Sequence, residues 1–223
     1  MVRRRELTVG IAIFLIATLA YLFGWTNVFS VKDLKITGAP NSQVVNTVTR
    51  YSEVKAGEKM ARIEPRTIES RLLAAGIDWL EGVDITRNWL SGEVVINLKA
   101  REAVAFTGSK FVDANGILFQ SPVKIDEKLP ELVGTTSQAR ANGIKLYQSL
   151  PNDFKDKVIK IIASSQDRFQ LHLMHLDKVL KINWGSSKDS EVKIKIYKAL
   201  IALPENKQIK SMDLSDPTKP SVK

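Results

Sequence analysis

The only two histidines of the chain, His172 and His175, are the first residues to consider for acid–base or metal chemistry. They lie three positions apart in "FQLHLMHL", where alternating apolar residues predict a β-strand. Residues i and i+3 of a strand point to opposite faces, so the two imidazoles cannot share a metal ion or a substrate. Surface or hairpin roles are therefore expected for both.

The rest of the sequence offers no catalytic or cofactor-binding signature. Because there is no cysteine, disulfides, thiol nucleophiles and thiolate metal sites are excluded. Asp113 precedes Asn115-Gly116, a pair typical of a tight turn, so its carboxylate is expected to support the turn rather than catalysis. Phosphate-binding loops, nucleophile elbows and zinc-protease motifs are absent as well. We expect no enzymatic activity, no metal and no cofactor.

The composition indicates a folded, basic protein. The 223 residues are 44% hydrophobic and 26% charged, which suffices for one or two domains with apolar cores. The formal net charge is +9, but the basic residues are scattered along the chain. This pattern is typical of a solvated basic surface and does not indicate a nucleic-acid partner.

The N-terminal residues Arg3, Arg4 and Arg5 are soon followed by nineteen uncharged residues, from Leu7 to Trp25. As a helix this stretch would cover about 28 Å, close to the hydrocarbon thickness of a bilayer. Basic residues tend to stay in the cytoplasm, so a single membrane-spanning helix with a cytoplasmic N-terminus is predicted. Its anchor residues are expected to be Leu7, Ile11, Phe14, Leu15, Leu19, Leu22 and Trp25.

A cleaved signal peptide is the alternative explanation of this start. Signal peptides have a shorter apolar region and end in small residues, whereas the exit here, "YLFGWTNVF", carries bulky aromatic residues. Without cleavage, the chain from Lys32 onward lies outside the cytoplasm. Since Arg3–Arg5 and Glu6 stay inside, the exterior part keeps a net charge of +7. Affinity for anionic lipid or wall polymer would be unspecific.

The first exterior segment predicts the order strand, helix, helix, strand, strand. Asn41 and Ser42 are suited to cap the first helix, and Pro65 and Gly76 to begin and end the second. The apolar stripes of these helices are Val44, Val48 and Tyr51, and Ile68, Leu72 and Ala75. The strands are predicted at Val31–Thr37, Val83–Arg87 and Glu93–Lys99.

From Ala103 onward the pattern changes to short strands and turns. Asn115-Gly116 predicts a hairpin with a type I′ turn, in which both residues have positive φ. Ser190–Leu203 fits a helix and a strand, and we favour the helix because Asp189 and Ser190 can cap it. The other predicted elements are a helix at Ser137–Leu150 and strands at Val158–Ala163, Phe169–His175 and Val179–Trp184.

The chain closes with "IKSMDLSDPTKPSVK", whose first half predicts a strand. Met212 and Leu214 alternate with polar residues, and Pro217 and Pro220 are expected to end further pairing. A terminal strand often lies at a sheet edge, where unpaired amides can bind the strand of a partner. This strand could also simply complete the sheet of its own domain, and the two roles are compatible.

Several phrases, in this order, resemble the FtsQ/DivIB family of bacterial cell-division proteins. "VKDLKITG" resembles the opening strand of the family's POTRA domain, and "VKAG" with Ile63 resembles its inter-helix turn. Arg87-Asn88-Trp89 resembles an Arg-x-Trp-Pro signature with Leu90 in place of proline. "AREAVAF" resembles a Glu-Arg-x-Pro-Val-Ala phrase in which Ala100 and Ala103 replace the acid and the proline. "FVDANGILF", "LPELVG" and "MDLSDP" also resemble family phrases.

The resemblance implies an α+β, single-pass protein of the cell membrane without enzymatic activity, expected at the division septum. It would act as a scaffold that links FtsB/DivIC-like and FtsL-like bitopic proteins and, through them, helps regulate the septal peptidoglycan synthase. No nucleic acid or small-molecule substrate is expected. The implied parts are a cytoplasmic tail (1–6), a transmembrane helix and connector (7–29), a POTRA domain (31–100), a β domain ending in an edge strand (101–216) and a flexible tail (217–223).

The resemblance also implies that a strand of the FtsB-like partner pairs with the terminal strand. The matching positions are Lys210, Ser211, Met212, Asp213, Leu214, Ser215 and Asp216. Some relatives carry larger or basic residues where this chain has Ser215 and Asp216, so partner preference does not carry over. The alternative function is a membrane-anchored exterior binding module for wall polymer or exported proteins, which would be spread around the envelope.

Overall fold

The computed structural model describes residues 2–24, 29–125 and 128–223, with the side chains of the first helix described for residues 8–21. The chain divides into two compact units, Met1–Arg101 and Glu102–Lys223. Both units contain helices and β-sheet, so the predicted mixed α+β class is confirmed.

The first helix, α1, spans Val2–Gly24. The side chains of Ile11, Phe14, Leu15 and Leu19 are each more than half exposed. Trp25 and the side chains of Leu7, Leu22, Arg3, Arg4 and Arg5, which were predicted as anchor or topology signals, lie outside the described residues. Within the described residues, no helix combines the length and the apolar character needed to cross a membrane.

The first unit places two helices against a three-stranded sheet. The central strand β3 pairs in parallel with β1 and antiparallel with β2. Helix α3 packs on β2, while α2 contacts α3 and β1. The predicted element order is confirmed, with bounds β1 Asp33–Thr37, α2 Ser42–Ser52, α3 Pro65–Ala74, β2 Leu80–Asn88 and β3 Glu93–Ala100.

The local sequence explains where these helices begin and which faces they bury. The Asn41 side chain accepts a hydrogen bond from the Val44 amide at 2.9 Å, as a helix cap does. Val48, Ile68 and Leu72 are buried as predicted. Tyr51 is 41% exposed, so its predicted core position is wrong; Ser52, one residue further along α2, is fully buried instead.

The second unit contains a nine-stranded sheet in the order β12-β11-β10-β9-β8-β7-β4-β5-β6. Helix α4 packs on β7 and β8, and α6 adds Ile194 and Tyr197 to the same core. The strands are β4 Ala105–Thr107, β5 Lys110–Val112, β6 Leu118–Phe119, β7 Glu131–Gly134, β8 Val158–Ser165, β9 Arg168–His175, β10 Lys178–Gly185, β11 Ser211–Asp213 and β12 Ser221–Val222. The helices are α4 Ser137–Ser149, α5 Asn152–Lys155 and α6 Ser190–Ala202.

The ambiguous segment at Ser190 is a helix, as favoured from the sequence. Its predicted cap differs, because Asp189 has a φ of 55° and its side chain makes no capping hydrogen bond. Instead, the Ser190 hydroxyl donates to the Ser187 carbonyl and accepts a bond from the Trp184 indole at 3.3 Å. The first turn of α6 is therefore tied to the end of β10.

The predicted hairpin at Asn115-Gly116 joins β5 and β6, but its turn type is wrong. Only Gly116 has positive φ, and the Gly116 amide donates to the Asp113 carbonyl at 3.0 Å. The Asp113 carboxylate accepts the amides of Asn115 and Ile117 at 2.9 and 2.8 Å. This carboxylate thereby replaces the positive φ at Asn115 as the device that turns the chain, which confirms its predicted turn-supporting role.

The end of the chain corrects two expectations. Residues 217–223 were expected as a flexible tail, yet Ser221–Val222 form β12 and pair antiparallel with β11. The prolines do not end pairing, because Pro217 is the second residue of a turn in which the Lys219 amide donates to the Asp216 carbonyl at 3.1 Å. As a result β11 has a neighbour on both sides and is not the edge of the sheet.

Candidate functional site

The candidate site is β11, and it is held in place by β10. The two strands are parallel, with Lys181, Ile182 and Asn183 aligned with Ser211, Met212 and Asp213. Met212 is 2% exposed and Leu214 is fully buried in the core of the second unit. The alternation of apolar and polar residues in the sequence therefore corresponds to burial: the side chains of Met212 and Leu214 hold β11 in the core of the second unit.

The backbone amides of β11 alternate between its two neighbours. The Leu214 amide donates to the Asn183 carbonyl of β10 at 2.8 Å, whereas the Ser211 amide donates to the Lys223 carbonyl beside β12 at 3.0 Å. Successive amides of a strand point in opposite directions, so the Asp213 amide faces β12 and the Met212 amide faces β10. Strand pairing on the outer side of β11 thus depends on the amides of Ser211 and Asp213.

The Asp213 side chain stabilises the end of β11. Its carboxylate accepts hydrogen bonds from the Asn183 amide group at 3.0 Å, from the Ser215 amide at 2.9 Å and from the Ser215 hydroxyl at 2.6 Å. Burial raises the pKa of Asp213, but the bonds from Ser215 and Asn183, with help from the Lys223 ammonium, outweigh it and leave this pKa below its ordinary value. The carboxylate is therefore charged at neutral pH.

The remaining predicted positions lie at the margins of this strand. Lys210 precedes β11, and its amide donates to the Lys223 carbonyl at 2.7 Å. Ser215 and Asp216 are exposed beyond its end, where the Asp216 carboxylate accepts the amide and the hydroxyl of Thr218. These two bonds lower the pKa of Asp216. Of the seven predicted residues, Ser211, Met212 and Asp213 form β11, and the others flank it. Asp216 belongs to the turn that leads to β12.

A depression of about 230 Å³ lies beside the site, lined by residues of β9 to β12 and by Lys223. Lys181 and Asn183 form part of its β10 side, and Ser221 and Lys223 belong to the segment that contains β12. His172 is aligned with Lys181 on one side and with Lys160 on the other. Burial, and then these two lysines, lower the pKa of His172, so its imidazole is neutral at neutral pH.

The two histidines do not form a site with each other. Both lie on β9, where the partly buried His172 alternates with the buried Leu171 and Leu173. The Nε2 atom of His175 is buried without a hydrogen-bond partner. Among the described residues, no three histidines or carboxylates come together in a way that could hold a metal ion.

Sequence reasoning missed Lys193, a buried residue of α6 whose ammonium binds the end of β10, the strand that pairs with β11. Its side chain is only 1% exposed, and Nζ donates to the carbonyls of Trp184 and Ser186 at 2.9 and 2.8 Å. Burial lowers the pKa of Lys193, although the carboxylates of Asp189 and Asp167 oppose the shift. The available signal was its position, four residues before Tyr197 on the apolar stripe of α6.

Arg87, from the phrase that resembles the Arg-x-Trp-Pro signature, has a structural role in the first unit. Its guanidinium donates to the Met60 carbonyl at 2.9 Å and also to the Ile63 carbonyl. The Trp89 ring packs edge-on against Phe29, with centroids 5.9 Å apart. Arg87 therefore connects β2 to the turn between α2 and α3.

A protein-family model matches just over half of the chain. The model of the family described as cell division protein FtsQ/DivIB, C-terminal, matches residues 100–215. This range begins at the last residue of β3 and includes every strand from β4 to β11. No curated protein matches the chain.

Proposed function

Because the chain belongs to the FtsQ/DivIB family of cell-division proteins, we propose that it is a non-enzymatic scaffold of the division machinery. It recruits small bitopic partners of the FtsB/DivIC and FtsL type and, through them, helps regulate septal peptidoglycan synthesis. The partner contributes a strand that pairs along the outer side of β11, at positions Lys210 to Asp216. The septum is its place of action.

The observation that carries this proposal is the asymmetric support of β11. One side is fixed by β10 and by the buried Met212 and Leu214, while the amides of the other side are paired only with the two-residue strand β12 and the adjoining Lys223. In strand addition, the main-chain bonds supply affinity and alternate side chains supply selectivity. At Ser211 and Asp213 those alternate side chains are only partly buried, so a partner can contact them.

Replacing Asp213 by proline is expected to reduce capture of the FtsB/DivIC-like partner by about tenfold or more, because proline removes the amide that faces the outer side of β11. The measurement is co-purification of the partner with the full-length chain from detergent extracts. The first unit should keep its structure, since β11 belongs to the second unit.

Asp213→Asn is the matched control, because asparagine keeps both the backbone amide and a side-chain oxygen that can accept the bonds from Ser215. Normal capture by Asp213→Asn together with loss in Asp213→Pro supports backbone pairing. Equal capture by wild type and by Asp213→Pro would contradict it. Even distribution of a fluorescent fusion around the envelope, instead of concentration at midcell, would favour the anchored binding module.

We further propose that α1 anchors the chain in the cell membrane with the N-terminus inside. The support is the uncharged run from Leu7 to Trp25 after three arginines, and the exposed apolar side chains of α1. The full chain is expected to stay with membranes in alkaline carbonate, and protease added to intact spheroplasts should digest the part after Lys32. Release by carbonate, or a mature chain that begins after Trp25, would contradict the anchor.

A further inference from the structure

The segment of residues 217–223 occupies the place that a partner strand would need. Met212 and Asp213 of β11 are aligned with Val222 and Ser221 of β12. The Lys223 carbonyl accepts the amides of Lys210 and Ser211, and the Lys223 amide donates to the Ser211 carbonyl at 2.9 Å. The outer amides of β11 are therefore already paired within the chain.

The pairing of β11 with β12 is stabilised by fewer contacts than the pairing of β11 with β10. The aligned part of β12 is two residues long, Ser221 is exposed and Val222 is only partly buried. The turn that leads to it is held by local bonds from Thr218 and Lys219 to Asp216. A short, exposed strand with few buried apolar contacts belongs to the parts of a protein that open locally, without global unfolding.

The outer edge of β12 offers little to a partner. The Lys223 amide points towards β11, so by alternation the Val222 amide points outward and the next outward position is residue 220. That residue is proline, which has no amide hydrogen. A strand added outside β12 would find one donor, whereas a strand that replaces β12 gains the outer amides of β11.

We propose that residues 217–223 are an internal substitute for the partner strand, and that the partner binds by displacing them from β11. This inference rests on the proposed function. In the free protein the substitute keeps the outer amides of β11 paired, which prevents edge-to-edge association of copies of the chain. The apparent affinity for the partner is then the intrinsic affinity multiplied by the fraction of molecules in which β12 has left β11.

A disulfide between positions 211 and 223 tests the displacement. Ser211 and Lys223 exchange backbone hydrogen bonds, and residues in such pairs have Cα atoms about 5.5 Å apart, within the range for a disulfide. The chain has no cysteine of its own, so S211C/K223C forms this bond alone. The oxidised form is expected to capture the co-produced FtsB/DivIC-like partner about tenfold less than the reduced form of the same variant.

The comparison of the two redox forms separates the possible failures, because the substitutions are common to both. Equal capture by both forms would overturn the displacement and place the partner strand outside β12 or elsewhere. Absence of capture by both forms, with capture by wild type, would show that the Ser211 or the Lys223 side chain is itself essential, and the hydrogen-exchange experiment below then decides about the displacement. Absence of capture by wild type as well would overturn the proposed function and this inference with it.

Hydrogen exchange of the free full-length chain tests the lability of β12 without any partner. The amides of Ser211 and Lys223 are expected to exchange about tenfold or more faster than the Leu214 amide, which is bonded to β10. Exchange of the Ser211 amide at the rate of the Leu214 amide would mean that β12 opens only with the rest of the sheet. That result would overturn the inference while leaving the proposed function intact.

Discussion

Replacing Trp184 by alanine is expected to lower the free energy of unfolding of the second unit by about 3–5 kcal/mol, the range for removing a large aromatic side chain from a core. Trp184 lies at the end of β10 and is fully buried. Its ring packs against Phe154 with centroids 5.6 Å apart, and Phe154 packs against Tyr197 at 5.0 Å. The substitution removes one of the two rings that pack against Phe154, the middle ring of this aromatic cluster.

The expected loss of stability is also large because two polar side chains, Ser190 and Lys193, contact the Trp184 ring. The indole Nε1 donates to the Ser190 hydroxyl, and the Lys193 ammonium lies 5.8 Å from the ring centroid in a cation–π contact. Without the ring, Lys193 stays buried with its two carbonyl partners but loses the aromatic face. Because β10 holds β11, the variant should also lose partner capture.

The stability of the second unit can be followed through hydrogen exchange of the β9 amides in the full chain. Val179→Ala is the matched control, because Val179 lies on the same strand with a 42% exposed side chain and should cost about 1 kcal/mol or less. Similar losses in both variants would show that the aromatic cluster does not carry the stability of this unit.

Replacing Gly38 by alanine is expected to destabilise the first unit by about 3 kcal/mol, the sum of left-handed strain and steric overlap. Gly38 follows β1 and has a φ of 75°. A Cβ atom there would lie 2.1 Å from the Leu98 carbonyl oxygen, a backbone atom of β3. Because the overlapping atom belongs to the backbone of β3, the chain at the end of β1 has to move away from β3, which weakens their parallel pairing.

Gly57→Ala is the matched control in the same unit. Gly57 has a φ of 87°, but a Cβ atom there would meet no atom within 4 Å. This variant bears only the backbone strain of the left-handed conformation, about 1–2 kcal/mol. The hydrogen-exchange rate of the β3 amides should increase strongly in Gly38→Ala and slightly in Gly57→Ala. Equal increases in the two variants would mean that the steric overlap at Gly38 is absent.

Much of the fold followed from local patterns in the sequence. Helices and strands with a clear apolar period, such as α3 and β11, were found because burial in a packed unit imposes that period. The period of α6 was ambiguous. Met212 and Leu214 were recognised as apolar positions for the same reason. The turn at Asn115-Gly116 was located correctly, but its geometry depended on the Asp113 carboxylate, which competes with the positive φ expected at Asn115.

The pairing of β12 was not predictable in the same way. A strand of two residues is too short to show a period, and its pairing is decided by the turn Asp216–Lys219. Aspartate at the first position and proline at the second favour that turn, and this was the signal that the sequence contained. Lys193 was missed because a lysine on an apolar stripe is buried only when carbonyls are placed to receive its ammonium.

Since β10 and β11 are parallel, the chain has to cross back over the sheet between them, and α6 lies in this crossing. Synthesis runs from the N-terminus to the C-terminus, so β11 is the last strand made among the residues that match the family model. A nascent polypeptide that stops before residue 211 contains β7 to β10 but lacks β11. If β11 recruits the partner as proposed, such a truncated product is expected to stay out of the assembly.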